Sequence, residues 1–365
     1  MVNKTKQEIN DKKRDNVIDI ARGACSIFMI LTHAETWWGK SQQFSKYTGV
    51  FFLVFFFFCS GLFFKEPENK CRYLLQKFCR LEIPYIIVCI MVLAKRYNSG
   101  IRHIPSLINS FFYALPAEFE PPFLLFGTKT IGIGPAWFLN CLYICLCIYI
   151  AIGICFRIIF HFKYVKNSEN GRNSNYKMEV VFKTIVIVVL AIIASVSQKY
   201  CVLPLNIQDG LIGTMFFHFG VIAVPYVKKL IYWAKKDTTK ASILFIIMIV
   251  IYYLDINYIP YQWLDLGSNK YNPESLIGTA IGFLLLILGS VLLEKVKYIG
   301  QLMSFIGLNS MIVLMIHAVD IDILRDWRQV SLLFIIATFA GYISATYVYV
   351  GVKKLCLQKG AANND

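Results

Sequence analysis

The sequence predicts an all-α integral membrane protein with about ten transmembrane helices. Of its 365 residues, 57% are apolar and only 16% are charged, whereas an ordinary soluble domain carries about 25% charged residues. Several segments, such as 180–196, 241–254 and 276–293, are long and almost free of charge. Because a helix that spans a bilayer needs about 20 apolar residues, so many such runs exclude a soluble fold, and no separate soluble domain is expected.

Hydropathy, together with turn and charge signals, gives the positions of the predicted spans. They lie at 16–38, 47–64, 83–97, 136–156, 181–198, 210–227, 241–258, 274–293, 302–320 and 330–351. The segment 104–126 is partly apolar but interrupted by prolines, which break helices. We therefore predict that it is re-entrant or interfacial.

The basic residues predict the orientation of these spans. With the N-terminus in the cytoplasm, the cytoplasmic segments hold 26 of the 37 Lys and Arg residues and the opposite loops hold 10. Since cytoplasmic loops carry the excess of basic residues, both termini are predicted to be cytoplasmic: 1–15 as a basic segment and 353–365 as a tail, flanking one transmembrane domain at 16–352. This placement accounts for the net charge of +15 without nucleic acid as a partner.

The eleven cysteines do not predict a disulfide framework or a metal site. Most of them lie inside apolar runs, where a thiol behaves as a small apolar group. No pair of CxxC motifs is present to bind zinc.

Three ionisable residues in the first span are candidates for chemistry, because charges inside a membrane are costly and by default functional. Asp19 and Arg22 are three residues apart and therefore neighbours on a helix. His33 follows Arg22 by eleven residues, which places both on nearly the same face and about 16 Å apart along the axis. Arginine suits a phosphate or carboxylate, and imidazole suits general base catalysis. On spacing alone a structural interpretation stays open, in which Arg22 reaches the cytoplasm beside Asp19 and His33 meets the outer interface.

Five short motifs occur in order along the chain. They are Asp-x-x-Arg-Gly with an Arg-x10-His spacing in 17–33, an aromatic run ending in Ser-Gly in 51–61, a basic stretch ending in Pro-Tyr in 77–85, Trp-Phe-Leu at 137–139, and Gly-x-x-Ser followed by a histidine in 305–317. Together they touch both ends of the chain. The sequence resembles the membrane-bound acyltransferase family 3, the type that O-acetylates polysaccharides and sugars.

The resemblance implies transfer of an acyl group, most often acetyl from acetyl-CoA, to a carbohydrate hydroxyl. On this basis Arg22, Lys77 and Arg80 are expected to bind the CoA phosphates, since anions favour clustered cations. His33 is expected either to take the proton of the acceptor hydroxyl or to carry the acetyl group itself, and Asp19 to hold Arg22 in place.

Three further residues are candidates for binding the acceptor: Glu35, Trp137 and His317. Each also has a structural interpretation, respectively as an interfacial carboxylate, an interfacial tryptophan and a buried histidine. The resemblance favours a cell-envelope carbohydrate as acceptor, such as an O-antigen, capsule or exopolysaccharide unit, either lipid-linked or soluble.

The expected location is a bacterial inner membrane, with the lipid bilayer and acetyl-CoA as partners and a homo-oligomer left open. The alternative function is a multi-pass transporter or flippase of a glycan or small anion, which would also use intramembrane Asp, Arg and His residues.

Overall fold

The computed structural model describes residues 15–37, 43–100, 103–116, 129–164, 171–258, 275–323 and 338–352. Within these ranges every long element is an α-helix and no β-strand occurs. This outcome confirms the all-α prediction. It also agrees with bilayer chemistry, in which a helix satisfies its own backbone polar groups.

Thirteen helices are formed by these residues. They are α1 (Asn16–Trp37), α2 (Gln43–Thr48), α3 (Phe52–Leu62), α4 (Lys70–Asn98), α5 (Ile104–Tyr113), α6 (Trp137–Tyr164), α7 (Gly171–Ser197), α8 (Ile207–Lys236), α9 (Thr238–Tyr258), α10 (Ser275–Glu294), α11 (Lys297–Leu308), α12 (Ser310–Ile323) and α13 (338–352). Short 3-10 turns, Gly134–Ala136 and Pro204–Asn206, precede α6 and α8.

Seven segments among the described residues are long and apolar enough to cross a membrane. They are Asn16–Ala34, Phe44–Leu62, Gly134–Ile159, Met178–Ser197, Pro204–Lys236, Thr238–Tyr258 and Ser275–Glu294. These segments correspond to the first, second and fourth to eighth predicted spans. The protein is therefore a multi-pass membrane protein.

The other three predicted spans have a different outcome. The ninth is broken, because Lys297–Leu308 and Ser310–Asp320 meet at an angle of 74°. The third lies within α4, which is helical over 29 residues but has charged residues on both sides of a short apolar centre. The tenth begins outside the described residues and continues into α13. The count of ten and the cytoplasmic position of both termini stay predictions.

Lipid-facing surfaces are recognisable on α7 and α9. Their large apolar side chains are exposed at helical spacing, for example Ile185, Val189 and Ile192 on α7 and Ile246 and Val250 on α9. Such surfaces would be unfavourable in water. They fit the hydrocarbon core of a bilayer, where apolar side chains are at no disadvantage.

Glycines allow two pairs of helices to come into backbone contact. A Cβ atom at Gly307 of α11 would collide with the carbonyl oxygen of Asp19 on α1, and one at Gly23 would collide with the carbonyl oxygen of Met303. The second pair is α3 and α8: a Cβ atom at Gly61 of α3 would collide with the backbone of α8, and one at Gly220 of α8 would collide with the backbone of α3. Small residues at helix interfaces are typical of membrane proteins, in which tight packing drives association.

We expect Gly307→Ala to destabilise the protein by about 1–3 kcal/mol, the usual cost of overpacking, because the added methyl group meets backbone and not a mobile side chain. Thermal unfolding of the purified protein in detergent measures this effect. The matched control is Gly351→Ala on α13, where an added Cβ would have nothing within 4 Å. Equal unfolding temperatures for the two variants would contradict the close α1–α11 contact.

Candidate active site

A cavity of about 350 Å³ lies between α1, α3, α4, α6 and α12. Most of its lining is apolar, from residues such as Phe56, Leu139 and Leu142. Its cationic residues are Arg22 of α1 and Lys77 and Arg80 of α4. The structure thus brings together the three residues that the family resemblance led us to expect at a CoA site.

Two contacts hold the guanidinium group of Arg22 in the cavity wall. Its Nη1 lies 3.7 Å from Oδ1 of Asp19, which is fully buried, and its Nη2 donates a hydrogen bond of 2.7 Å to Oγ of Ser310. The predicted pairing of Asp19 with Arg22 is therefore present. Ser310 is the first residue of α12, immediately after the sharp bend between α11 and α12. The partial positive charge of the α12 N-terminus thus lies close to this cation.

Lys77 and Arg80 add positive charge without a matching carboxylate, since neither forms an ion pair with an acidic residue of the described segments. Burial lowers the pKa of the Lys77 ammonium, and the neighbouring Arg80 lowers it further. The Lys77 Nζ lies 5.2 Å from the centroid of the Tyr73 ring, and burial raises the pKa of Tyr73 to about 12. A bound anion would offset the repulsion between the two cations, because opposite charge stabilises the charged form of lysine.

One face of α1 leads from this cationic region to His33. Arg22, Ser26 and Met29 line the cavity at intervals of four and three residues, and His33 is the next position of the same face after Met29. At about 1.5 Å per residue, His33 lies about 16 Å along the helix from Arg22.

One face of α12 leads from the cavity to the neighbourhood of His33. Ser310 and Leu314 line the cavity, and His317 follows Leu314 on this face. The imidazole rings of His33 and His317 have their centroids 5.2 Å apart. Two histidines from different helices therefore adjoin one helical turn beyond the cavity-lining residues Met29 and Leu314.

The other predicted acceptor residues have separate outcomes. Trp137 is buried at the start of α6, next to the 3-10 turn on which α12 packs, and its ring contacts Phe138 with centroids 6.1 Å apart. Phe138 lines the cavity, and Trp137 is not among its lining residues. Glu35 lies near the end of α1, and its side chain is outside what the structure describes. The roles of all these residues stay predictions.

Sequence reasoning missed three polar partners in this region: Ser310 as the acceptor for Arg22, and the pair Asp320 and Tyr342 beside His317. Asp320 could have been found, because it is a carboxylate at the end of a predicted span. Nothing in the sequence distinguishes Tyr342 from the other 20 tyrosines.

A second buried polar cluster lies away from the cavity lining. Both ring nitrogens of His218 have partners: Nε2 lies 2.8 Å from Oγ1 of Thr184 and Nδ1 lies 3.4 Å from the hydroxyl of Tyr149. The ammonium of Lys183 lies 3.9 Å from the centroid of the same Tyr149 ring. This arrangement fits a structural cluster that joins α6, α7 and α8.

Comparison with known protein families gives one finding. A family model for the acyltransferase 3 family, described as an acyltransferase domain, matches residues 15–352. The match covers more than half of the chain and confirms the resemblance that the five motifs predicted. No curated protein and no solved structure matches the chain.

The ion pair in the cavity wall can be tested by stability alone. We expect Arg22→Gln to cost up to about 3 kcal/mol, because it leaves the Asp19 carboxylate buried without its cation. Asp19→Asn in the same background should restore part of that loss. Thermal unfolding of the two single variants and the double variant gives the coupling free energy.

The control for this cycle is Arg157→Gln. Arg157 pairs with Glu66 at 2.7 Å, but both side chains are about half exposed, and such pairs contribute about 0–1 kcal/mol. An effect of Arg22→Gln no larger than that of Arg157→Gln would contradict the buried pair.

Proposed function

Because the chain belongs to the acyltransferase 3 family, we propose that this membrane acyltransferase transfers an acetyl group from acetyl-CoA to a hydroxyl of a cell-envelope carbohydrate. The observation that carries the proposal is the continuous face of α1, on which Arg22 lines a cationic cavity and His33 adjoins a second histidine beyond it. A cation suited to phosphate and an imidazole suited to acyl transfer thus lie on one helix face, and the stretch between them is lined mainly by apolar side chains.

In this proposal the phosphates of CoA bind Arg22, Lys77 and Arg80, and the thioester arm extends through the apolar part of the cavity. Clustered cations bind phosphate by charge-assisted hydrogen bonds, and the N-terminus of α12 adds a favourable dipole. A volume of about 350 Å³ is at the lower end of the range for ligand pockets. It suits a narrow arm better than a whole nucleotide, so the adenosine group is proposed to stay near the cytoplasm.

Either of two roles for His33 completes the reaction. As a general base, it takes the proton of the acceptor hydroxyl while the oxygen attacks the thioester carbonyl. As a nucleophile, it carries the acyl group between CoA and the acceptor. In both cases Asp19 acts through Arg22 by keeping the guanidinium in place.

The acceptor is proposed to bind on the side of the histidines away from the cytoplasm. Glu35 and His317 belong to α1 and α12, which contact each other, and Trp137 follows the 3-10 turn that packs on α12. A tryptophan face and a carboxylate are suitable groups for a sugar ring and its hydroxyls. A lipid-linked or small soluble glycan fits, as a unit of O-antigen, capsule or exopolysaccharide. The corresponding location is a bacterial inner membrane.

A second candidate function is transport of a glycan or small anion. The bend of 74° between α11 and α12 favours it, because broken helices with buried ion pairs form the binding sites of many transporters. A transporter would move its substrate without changing it, and the experiment below separates the two functions.

We expect the purified protein in nanodiscs to turn over radiolabelled acetyl-CoA, with label transferred to a glycan extract or released by thioester hydrolysis. His33→Ala and Arg22→Ala should abolish this turnover. His103→Ala is the control, since His103 is exposed and outside the cavity lining. Well-folded wild-type protein that neither binds nor consumes acetyl-CoA would contradict the proposal, and transfer of unmodified glycan across the membrane would then favour transport.

The path between Arg22 and His33 gives a further prediction. Met29→Trp should reduce turnover by about tenfold or more, because a large ring in the apolar part of the cavity keeps the thioester from a productive position. Met91→Trp is the matched control, since Met91 is exposed on α4 and does not line the cavity. Equal turnover in the two variants would show that the donor does not pass Met29.

A further inference from the structure

A chain of hydrogen bonds connects α13 to the imidazole of His317. The hydroxyl of Tyr342 donates to Oδ2 of Asp320, and its oxygen lies 3.2 Å from Nδ1 of His317. The exposed fractions of the three side chains are 8% or less. Asp320 lies one helical turn after His317 on α12, and Tyr342 reaches both residues from the neighbouring helix.

The direction of these bonds fixes which nitrogen of His317 carries the hydrogen. A hydroxyl has a single proton, and Tyr342 donates it to Asp320. Its oxygen can therefore only accept, so the Nδ1 of His317 is the donor. A neutral imidazole has one N–H group, and Nε2 of His317 is thus the nitrogen with the lone pair.

The presence of Asp320 argues that this arrangement has a purpose beyond packing. A carboxylate within a membrane bundle is costly and by default functional. A tyrosine could contact His317 without it, but would then be free to donate to Nδ1 and would not select one tautomer. A base held by a third, acidic group is the general form of an activated catalytic site.

The position of His317 connects this chain of bonds with the cavity. Its ring centroid lies 5.2 Å from that of His33, at the end of the helix faces that begin at Arg22 and Ser310. Two imidazoles this close do not readily bear a positive charge at the same time, since like charges disfavour each other. For His317, the bonds to Tyr342 and Asp320 leave Nε2 as the nitrogen suited to accept the proton of a hydroxyl.

We propose that Tyr342 and Asp320 are positioning residues that hold His317 with Nε2 as the proton-accepting nitrogen, and that His317 takes the proton of the acceptor hydroxyl. This inference rests on the proposed function. It leaves to His33 the role of carrying the acyl group, the second of the two roles open to it.

The reaction then balances in two steps. In the first, a nitrogen of His33 attacks the thioester carbon, the C–N bond forms as the C–S bond breaks, and the imidazole proton leaves with the thiolate as the CoA thiol. In the second, the hydroxyl oxygen attacks the acyl carbon, and the C–O bond forms as the C–N bond breaks. The hydroxyl proton passes to Nε2 of His317 and from there to the released nitrogen of His33.

The tautomer can be measured without turnover. Solid-state NMR of the full chain in nanodiscs, with ¹⁵N-labelled imidazoles, resolves protonated from unprotonated ring nitrogens. The chain has five histidines, and the signals of His317 are those lost in His317→Gln. We expect Nδ1 protonated and Nε2 unprotonated in the wild type, and a mixture of tautomers in Tyr342→Phe. A protonated Nε2 with an unprotonated Nδ1 in the wild type would overturn the inference.

The kinetic test compares Tyr342→Phe with Tyr347→Phe, the same substitution on the same helix. Tyr347 is 55% exposed and stacks on Phe305. Tyr342→Phe should lower kcat at least about tenfold, which is less than the roughly 10²–10⁴-fold that a general base contributes, because the base is left in place and only its tautomer is no longer fixed. The KM for acetyl-CoA should stay unchanged, because the cavity cations are untouched. Tyr347→Phe should keep both constants.

The outcomes for the two proposals are distinguishable. A Tyr342→Phe variant with wild-type kcat would overturn the positioning role while acyl transfer stands. A wild type that consumes no acyl donor would contradict the proposed function, and the NMR measurement would still decide whether Tyr342 and Asp320 fix the tautomer of His317. If size-exclusion chromatography shows that Tyr342→Phe does not fold, the tautomer of His317 measured in the wild type decides the question.

Discussion

Backbone contact between α1 and α11 determines where the Arg22 guanidinium of the cavity lies. Gly307 has no side chain, so the backbone of α11 reaches the carbonyl oxygen of Asp19. Three residues later Ser310 begins α12 after the bend, and its hydroxyl accepts a hydrogen bond from Arg22. A guanidinium held between Asp19 and Ser310 cannot turn freely away from the cavity. The packing of two helices through small residues thus sets the position of a cation.

Two buried carboxylates in this region have partners that offset the cost of placing an ionisable group inside a bilayer. Asp19 is offset by Arg22 and Asp320 by the hydroxyl of Tyr342, so each of these two buried carboxylates has a defined partner. The cavity lining beside Arg22 is mostly apolar, and a low local dielectric strengthens the attraction between Arg22 and Asp19. Electrostatic order of this kind favours a site that is formed before its substrates bind.

Sequence reasoning predicted those features that follow from the period of a single helix. The pairing of Asp19 with Arg22 and the common face of Arg22 and His33 are of this kind, and the helical structure of α1 contains both. Contacts between helices distant in the chain leave no periodic signal, so the bond from Arg22 to Ser310 and the contact of Tyr342 with His317 could not be predicted. Hydropathy also predicted only the apolar centre of α4 as helical. The ends of that helix are charged, so their mean hydropathy is too low for a membrane span, although they are helical.

The depth of the cavity has an electrical consequence. The hydrocarbon core of a bilayer is about 30 Å thick, and Arg22 and His33 are separated by about 16 Å along α1. If water and ions enter the cavity from one side, the insulating layer that remains is thinner than the bilayer, and most of the membrane voltage falls across it. A full crossing of one charge corresponds to about 2.3 kcal/mol per 100 mV. In the proposed mechanism, a proton exchanged between His33 and His317 would therefore move within a concentrated electric field.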